Sequence, residues 1–452
     1  MKIKWMIGAV ILITTALINS PASAQQQQKQ PEAHAFSIRQ AIDYAHAHNV
    51  QVKNSLLDYQ LQVQTNRNVT AGALPHLSGS GNLTDYIDIP TNLLPAEFFG
   101  GAAGTFIPVK FGTKYNATGS ISLSQTLFDG QVFVGLQARK ASLDYARKGT
   151  EVTEQMIKVN VYKIYYQLSA SKTQMAILDA NIARTETLLH DATLMHDNGF
   201  TEQIDVDKNT VQLANLRTEK LKAQSVIDNG YLGLKYLMGM PMRDTLILTD
   251  SITDNEIKAN LPDTGYNYND RKEYQYLQIV KTLNQYNIKR YRLSLLPTLS
   301  LNGVYSKMAQ RTKFDIFNKG DWFTTSYLGL TLNVPIFDGF AKRSNIRTAQ
   351  IQLQQTQNKI EDLELSIDTS VIASRRNFTV AIQTLDYQKK NMDLAERVYN
   401  QAKKKYEAGV GSTTDINNAE ADLKTAQNNY IGAMYDAIIA RIDYTNAVGR
   451  LE

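Results

Sequence analysis

The sequence predicts an α+β membrane protein in which four amphipathic β-strands adjoin very long helices, the whole being a duplicated half-molecule. Three observations carry this expectation. Landmarks recur in one order: LPHLS (74–78) and LPTLS (296–300), LFDG (127–130) and IFDG (336–339), NGFTEQIDV (198–206) and AGVGSTTDI (408–416), each pair roughly 210–220 residues apart. That period is far longer than a solenoid unit. Apolar residues step by 4, 3, 4, 3 through two long stretches that lack proline, which is the spacing of a coiled-coil seam. Between the helical stretches lie segments that alternate apolar and polar residues, the period of a strand with two unlike faces.

Taken in order, the chain opens with Lys2 and Lys4, a largely apolar run over 5–18 and the small residues Ala22-Ser23-Ala24. This pattern reads as a secretory signal peptide over 1–24. The glutamine-rich stretch that follows reads as a disordered tether over 25–36. A first repeat is expected over 37–239, a linker with one short strand over 240–270, and a second repeat over 271–452. Each repeat has a helix, two strands, a long helix and a shorter returning helix. The chain has no cysteine, so disulfides and thiolate chemistry are excluded. A net charge of +5 over 452 residues, without a basic stripe, gives no reason to expect nucleic acid.

The first long helix should begin near Gln131 and carry a seam of Ile157, Val161, Ile164, Leu168, Ser171, Met175, Leu178, Ile182, Thr185 and Leu189. Adding 210 gives Ile367, Val371, Ser374, Phe378, Ala381, Leu385, Gln388, Met392, Ala395 and Tyr399 in the second copy. About 65 residues at ~1.5 Å each make a rod of roughly 100 Å, too long for one globular core. The opening helices (37–72 and 271–294) and the returning helices are each about half as long. Two short helices stacked end to end would match one long one, giving four rods. Asp205 and Asp415 are expected to cap the returning helices, because a carboxylate there accepts a backbone N–H.

The four candidate strands are 77–88, 114–128, 299–308 and 326–337. In the second, Tyr115, Ala117, Ile121, Leu123 and Leu127 oppose a row of Ser, Thr and Asn; in the fourth, Leu328, Leu330, Leu332, Val334 and Ile336 share a face. Their length suits tilted strands of a membrane barrel. The loops between them carry Phe98, Phe99, Phe106, Phe111, Phe314, Phe317, Trp322 and Phe323, which suits an aromatic girdle. Four strands do not close a membrane barrel, and open edges do not face lipid. Two chains would give eight strands with a filled interior, and three would give twelve with a lumen.

The layout of Leu-Pro-x-Leu-Ser, Phe-Asp-Gly (128–130 and 337–339) and YEAGVGSTTDI (406–416) resembles the TolC-type outer-membrane efflux proteins over nearly all of the chain after its leader. The resemblance implies a homotrimer with a shared 12-stranded transmembrane β-barrel, four strands per chain, continuous with an α-helical coiled-coil tunnel in the periplasm of a Gram-negative bacterium. It implies a passive exit duct of a tripartite efflux or type I secretion system. The partners implied are a periplasmic adaptor (membrane fusion) protein, an inner-membrane pump and outer-membrane lipid. Matching the family pattern places Tyr406, Asp415 and Asn418 at the periplasmic entrance, with Asp205 as a partner for Tyr406. Gly411 stands where a basic residue can sit and Asn418 where a second acid can sit. Gly199, Gly409 and Gly411 mark the tip turns. Phe128-Asp129-Gly130 and Phe337-Asp338-Gly339 mark the barrel-to-helix corners, where glycine permits the turn and aspartate caps the helix.

No catalytic, cofactor or metal site is expected. His46 and His48 lie two apart on a helix and do not face each other, and His190 and His196 lack the i, i+4 ligand spacing. The competing reading is a secreted coiled-coil structural or adhesin protein without a pore, which leaves the four amphipathic strands unexplained.

Overall fold

The computed structural model describes residues 32–250, 257–258, 265–316, 320–408 and 410–451. The expected signal peptide (1–24) and most of the expected tether (25–36) lie outside these residues, as do Phe317 and Gly409. In chain order the elements are β1 (Ala33–Phe36), α1 (Ile38–His48), α2 (Val50–Ala71), β2 (His76–Asp85), β3 (Thr91–Pro95), β4 (Phe106–Lys110), β5 (Tyr115–Phe128), α3 (Gly130–Asp197), α4 (Gln203–Met238), β6 (Thr245–Leu248), α5 (Lys272–Leu293), β7 (Thr298–Arg311), β8 (Phe323–Asn333), α6 (Ala341–Glu407) and α7 (Thr413–Ala447).

The two long helices have 68 and 67 residues, each a rod of roughly 100 Å. All ten seam positions expected on α6 are buried or half-buried, and so are the ten on α3. On α3 the buried face also takes in Tyr165, Asn181, Leu188 and Ala192. The short helices stack in pairs. Asn49 breaks the helical backbone between α1 and α2; its side-chain oxygen caps Gln51 and Val52 (2.7 and 3.2 Å) and its amide donates to the Leu237 carbonyl (2.6 Å). The end of α4 is thereby tied to the start of α2. Gly239, at φ 70°, turns the chain directly against His48. In the second half Gly449, at φ 76°, abuts Asp270, and Arg271 donates to the Ala447 carbonyl (3.1 Å). The end of α7 meets the start of α5 in the same manner. Four rods result: α3, α6 and two composites.

One antiparallel sheet has the order β2-β5-β7-β8. The register sorts its side chains onto two unlike faces. Pairings Leu77↔Leu123, Ile121↔Tyr305, Leu301↔Leu330 and Leu299↔Leu332 lie on one face. Ser80↔Ser120, Ser122↔Val304, Asn302↔Gly329 and Ser300↔Thr331 lie on the other. On the polar face the hydroxyls of Ser80 and Ser120 meet at 2.7 Å, and Asn302 donates to Thr331 (2.9 Å). On the apolar face Leu77, Leu328, Leu330 and Leu332 are 62–74 % exposed in the single chain. Strands β2 and β8 are the sheet's edges. Pro335 falls after the last ladder residue, Asn333, where its missing N–H costs nothing.

Two expectations need correction. The end of the predicted tether is not disordered: Ala33–Phe36 forms a parallel strand with Thr245–Leu248. The cause is long-range. Leu246 and Leu248 are buried beside α3, and the buried Tyr165 hydroxyl donates to the Phe36 carbonyl (3.0 Å) and accepts from the Asp250 amide (3.1 Å). The segment expected only as a loop between the first two strands holds two more, since Thr91–Pro95 and Phe106–Lys110 pair as an antiparallel hairpin. Two prolines and very short strands hid it. No helix among the described residues is long and apolar enough to cross a membrane.

Candidate channel entrance and barrel corners

The two Phe-Asp-Gly corners do one job by different geometry. At the first, Asp129 is extended (φ −147°, ψ 116°) and its carboxylate accepts the Gln131 amide (2.8 Å), capping α3. Gly130 is already helical and buried. A Cβ there would lie 2.6 Å from Leu293 Cβ and 2.8 Å from the Leu293 carbonyl oxygen. Close packing against the end of α5 demands this glycine, not a left-handed turn. At the second corner Gly339 and Phe340 are both left-handed (φ 65° and 68°), and Asp338 accepts the Lys342 amide (2.9 Å). Here glycine does permit the turn. Phe128 packs edge-on to Phe133 and Phe337 to Phe340, with centroids 5.6 and 5.5 Å apart.

At the far ends of α3 and α6 the chain reverses through two tips. Gly199 (φ 78°) ends α3, and the Phe200 amide donates to the Met195 carbonyl (2.8 Å). In the second tip the amides of Val410 and Gly411 both donate to the Lys405 carbonyl (3.0 Å each). A Cβ at Gly411 would come within 2.9 Å of the Tyr406 backbone nitrogen. The residue that stands where the family pattern allows a base is therefore held to glycine by the turn itself. Each tip presents one bare apolar side chain, Phe200 at 83 % and Val410 at 78 % exposure.

The four expected entrance residues have four different surroundings. Asp415 is the third residue of α7 and forms a capping box with Ser412, whose hydroxyl accepts the Asp415 amide (3.1 Å) while the carboxylate accepts the Ser412 amide (3.4 Å). Asp205 holds the equivalent place in α4 but caps no backbone amide; it accepts the Thr201 hydroxyl (2.7 Å) and lies 3.6 Å from Lys208 Nζ. The residue before α4 is Glu202, which makes no side-chain cap. Asn418 is exposed on α7. Tyr406 is buried with Leu188, Tyr399, Ile416, Ala419 and Leu423, and its hydroxyl donates to Met195 Sδ (3.5 Å). The structure thus joins Tyr406 to Met195 and Asp205 to Thr201, rather than the two to each other.

Several residues that organise this region were not anticipated. Glu420 is only 3 % exposed on α7, one step off the apolar phase of Ile416, Ala419 and Leu423. A charged residue in the buried phase of a helix is a signal legible in the sequence of the returning helix, outside the seams of the two long helices. At mid-height, the hydroxyls of Tyr266 and Tyr268 both donate to Asp368 on α6 (2.6 and 2.8 Å), and Tyr274 donates to Glu364 (2.9 Å). The shared Asp368 carboxylate is the main cause that pushes Tyr268 up to about 12. These bonds pin the segment before α5 onto α6.

Comparison with known proteins meets this geometry. The family model described as "Outer membrane efflux protein" matches residues 280–450. Outer membrane protein TolC of Vibrio cholerae is 20 % identical over 341 residues, 73 % of this chain and 76 % of that protein. The chain is similar to the TolC-type outer-membrane efflux proteins. Outer membrane efflux protein BepC of Brucella suis is 20 % identical over 456 residues, 99 % of this chain and 91 % of that protein. In structure, the TolC-type fold is matched by CusC with a TM-score of 0.75 at 14 % identity, over 91 % of both chains. The comparisons thus group this chain with outer-membrane proteins of the efflux class.

Proposed function

We propose that three copies of the chain build one exit duct, a twelve-stranded barrel in the outer membrane continuous with a helical periplasmic tunnel. The observation that carries this reading is the sheet: an exposed apolar face, a polar face and two open edges. A sheet edge in lipid leaves backbone groups without partners, which costs several kcal/mol per group, so it closes on a neighbour. The apolar face suits lipid and the serine, threonine and asparagine face suits a water-filled lumen. A pore-free secreted coiled coil would hold Leu328, Leu330 and Leu332 against water, which argues against that alternative. The exposed aromatic residues Phe98, Phe99, Phe106, Phe111, Phe314, Trp322 and Phe323 stand at the outer end of the sheet, as an interface girdle would.

We read the two repeats, 37–239 and 271–452, as duplicates joined by the 240–270 linker, so that three chains contribute six corners. The helical tips are the proposed entrance and the proposed contact for a periplasmic adaptor bound to an inner-membrane pump. Transport is passive, with energy supplied by the pump. Asp205, Asp415 and the polar Asn418 surround this entrance, and the two carboxylates favour cations there. The test is single-channel recording in planar bilayers under a salt gradient. Wild type should prefer cations, and Asp205→Asn with Asp415→Asn should move the reversal potential toward zero; no conductance at all from the purified oligomer would sink the channel reading.

A further inference from the structure

The helices form two hairpins, α3 with α4 and α6 with α7, which meet where α3 faces α7. Polar pairs span this seam: Gln155 to Asn446 (3.0 Å), Lys163 to Asp443 (2.6 Å), Asn181 to Gln427 (3.0 Å) and Thr185 to Glu420 (2.6 Å). Toward the tips the seam becomes dry. Lys163 and Asp443 are 35 % and 44 % exposed, whereas Asn181, Thr185 and Glu420 are 3 %, 0 % and 3 % exposed. A carboxylate in such a place needs a cation or a proton.

We propose that Glu420 holds a proton while the two hairpins are packed, and that losing it loosens them at the tunnel entrance. The cations nearby are engaged elsewhere. Lys424, on the same helix, pairs with Glu219 of α4 (2.7 Å). Arg184 of α3 donates to the side-chain oxygen of Asn181 and lies over the ring of Tyr399 of α6 (5.4 Å), with its Nε buried and without an acceptor. Among the described residues neither makes an ion pair with Glu420. The hydroxyl of Thr185 lies 2.6 Å from Glu420 Oε1 and 3.0 Å from the Asn181 carbonyl. It has one proton to give. Both contacts are hydrogen bonds at once when the Glu420 carboxyl donates to Thr185 and Thr185 donates to Asn181.

Burial pushes the Glu420 carboxyl above the usual carboxylate range, outweighing the more distant Arg184 and Lys424 charges, which pull it down. The same seam raises Tyr399, again chiefly by burial and then by Glu420. The sign of the linkage follows. The packed state binds the proton more tightly than a parted state in which water reaches Glu420, so acid favours packing. As pH rises through the raised value, the buried carboxyl ionises without a paired cation and packing weakens.

This inference rests on the tips being the tunnel entrance, so two readouts are used. Infrared spectroscopy of the purified protein reads the site itself: a carboxylic-acid C=O band should persist above the ordinary carboxyl range of about 4.3 and be missing from Glu420→Gln. Bilayer recording reads the consequence: open probability should rise several-fold as pH rises in wild type, and stay low and flat in Glu420→Gln. The amide of that variant still donates to Thr185, so packing survives. Overlapping infrared titrations of the two proteins would overturn the proton site, and an unchanged pH profile in Glu420→Gln would overturn the latch. A channel-reading failure differs from both, since neither protein would then conduct.

Discussion

Gly130 and Gly339 occupy one place in two copies of Phe-Asp-Gly, and they resist substitution for different reasons. A methyl at Gly130 meets the body of Leu293, an overpacking cost of about 1–3 kcal/mol. Gly339 has open space around it and a left-handed backbone, so alanine there costs about 1–2 kcal/mol of backbone strain. Gly130→Ala should therefore lower the melting temperature and loosen the α3–α5 contact, while Gly339→Ala lowers stability without disturbing neighbours. Hydrogen exchange at α5 separates the two: equal protection in both variants would contradict the packing argument. Tyr406 allows a sharper test. Its hydroxyl meets only a thioether among the described residues, a weak acceptor, while its ring lies in the tip cluster. Tyr406→Phe is expected to leave conductance unchanged and Tyr406→Ala to raise it, whereas a large effect of Tyr406→Phe would restore the latch with Asp205. The sequence could name Tyr406, Asp205 and Asp415 as tip residues but not their partners. An aspartate three residues after a turn has a capping hydroxyl before it only if the chain supplies one, and Ser412 has no counterpart at Glu202.

At the scale of elements, the sheet carries the clearest prediction because its register fixes which residues share a face. Leu330 lies in the apolar row and Ser122 in the polar one. Arginine at the lipid face near the midplane costs about 2–4 kcal/mol, multiplied by every copy in the barrel. Leu330→Arg should abolish recovery from the outer-membrane fraction, while Ser122→Arg should assemble and shift the reversal potential toward anions. Equal recovery of both would mean that the faces are not lipid and lumen. Strand and helix alternation were readable because period 2 and the 4-3 seam are local patterns: the seam positions of α6, from Ile367 to Tyr399, are the buried ones. The pairing of Ala33–Phe36 with Thr245–Leu248 was not readable, since four residues beside a glutamine run give no pattern of their own. Their order comes from a partner more than 200 residues away and from the Tyr165 hydroxyl. The Thr91–Lys110 hairpin failed to register for a related reason, as prolines at 95 and 108 sit in five-residue strands.

For the whole molecule, the joints between stacked short helices decide how the rods align. Asn49 against Leu237 and Arg271 against Ala447 hold these joints in the two halves. Asn49→Ala removes two capping bonds and one tie to α4, and should cost about 1–2 kcal/mol. Loss should be read as a lower melting temperature, with Gln51 and Val52 amides exchanging faster; unaltered exchange there would contradict the joint. A single chain, however well joined, leaves a sheet open at β2 and β8 with its leucine row in water. The number of chains per particle therefore tests the shared barrel most directly. Native mass spectrometry of the detergent-extracted outer-membrane complex should give three times the mass of one processed chain. A single-chain mass, or recovery of the protein in the soluble fraction, would contradict it.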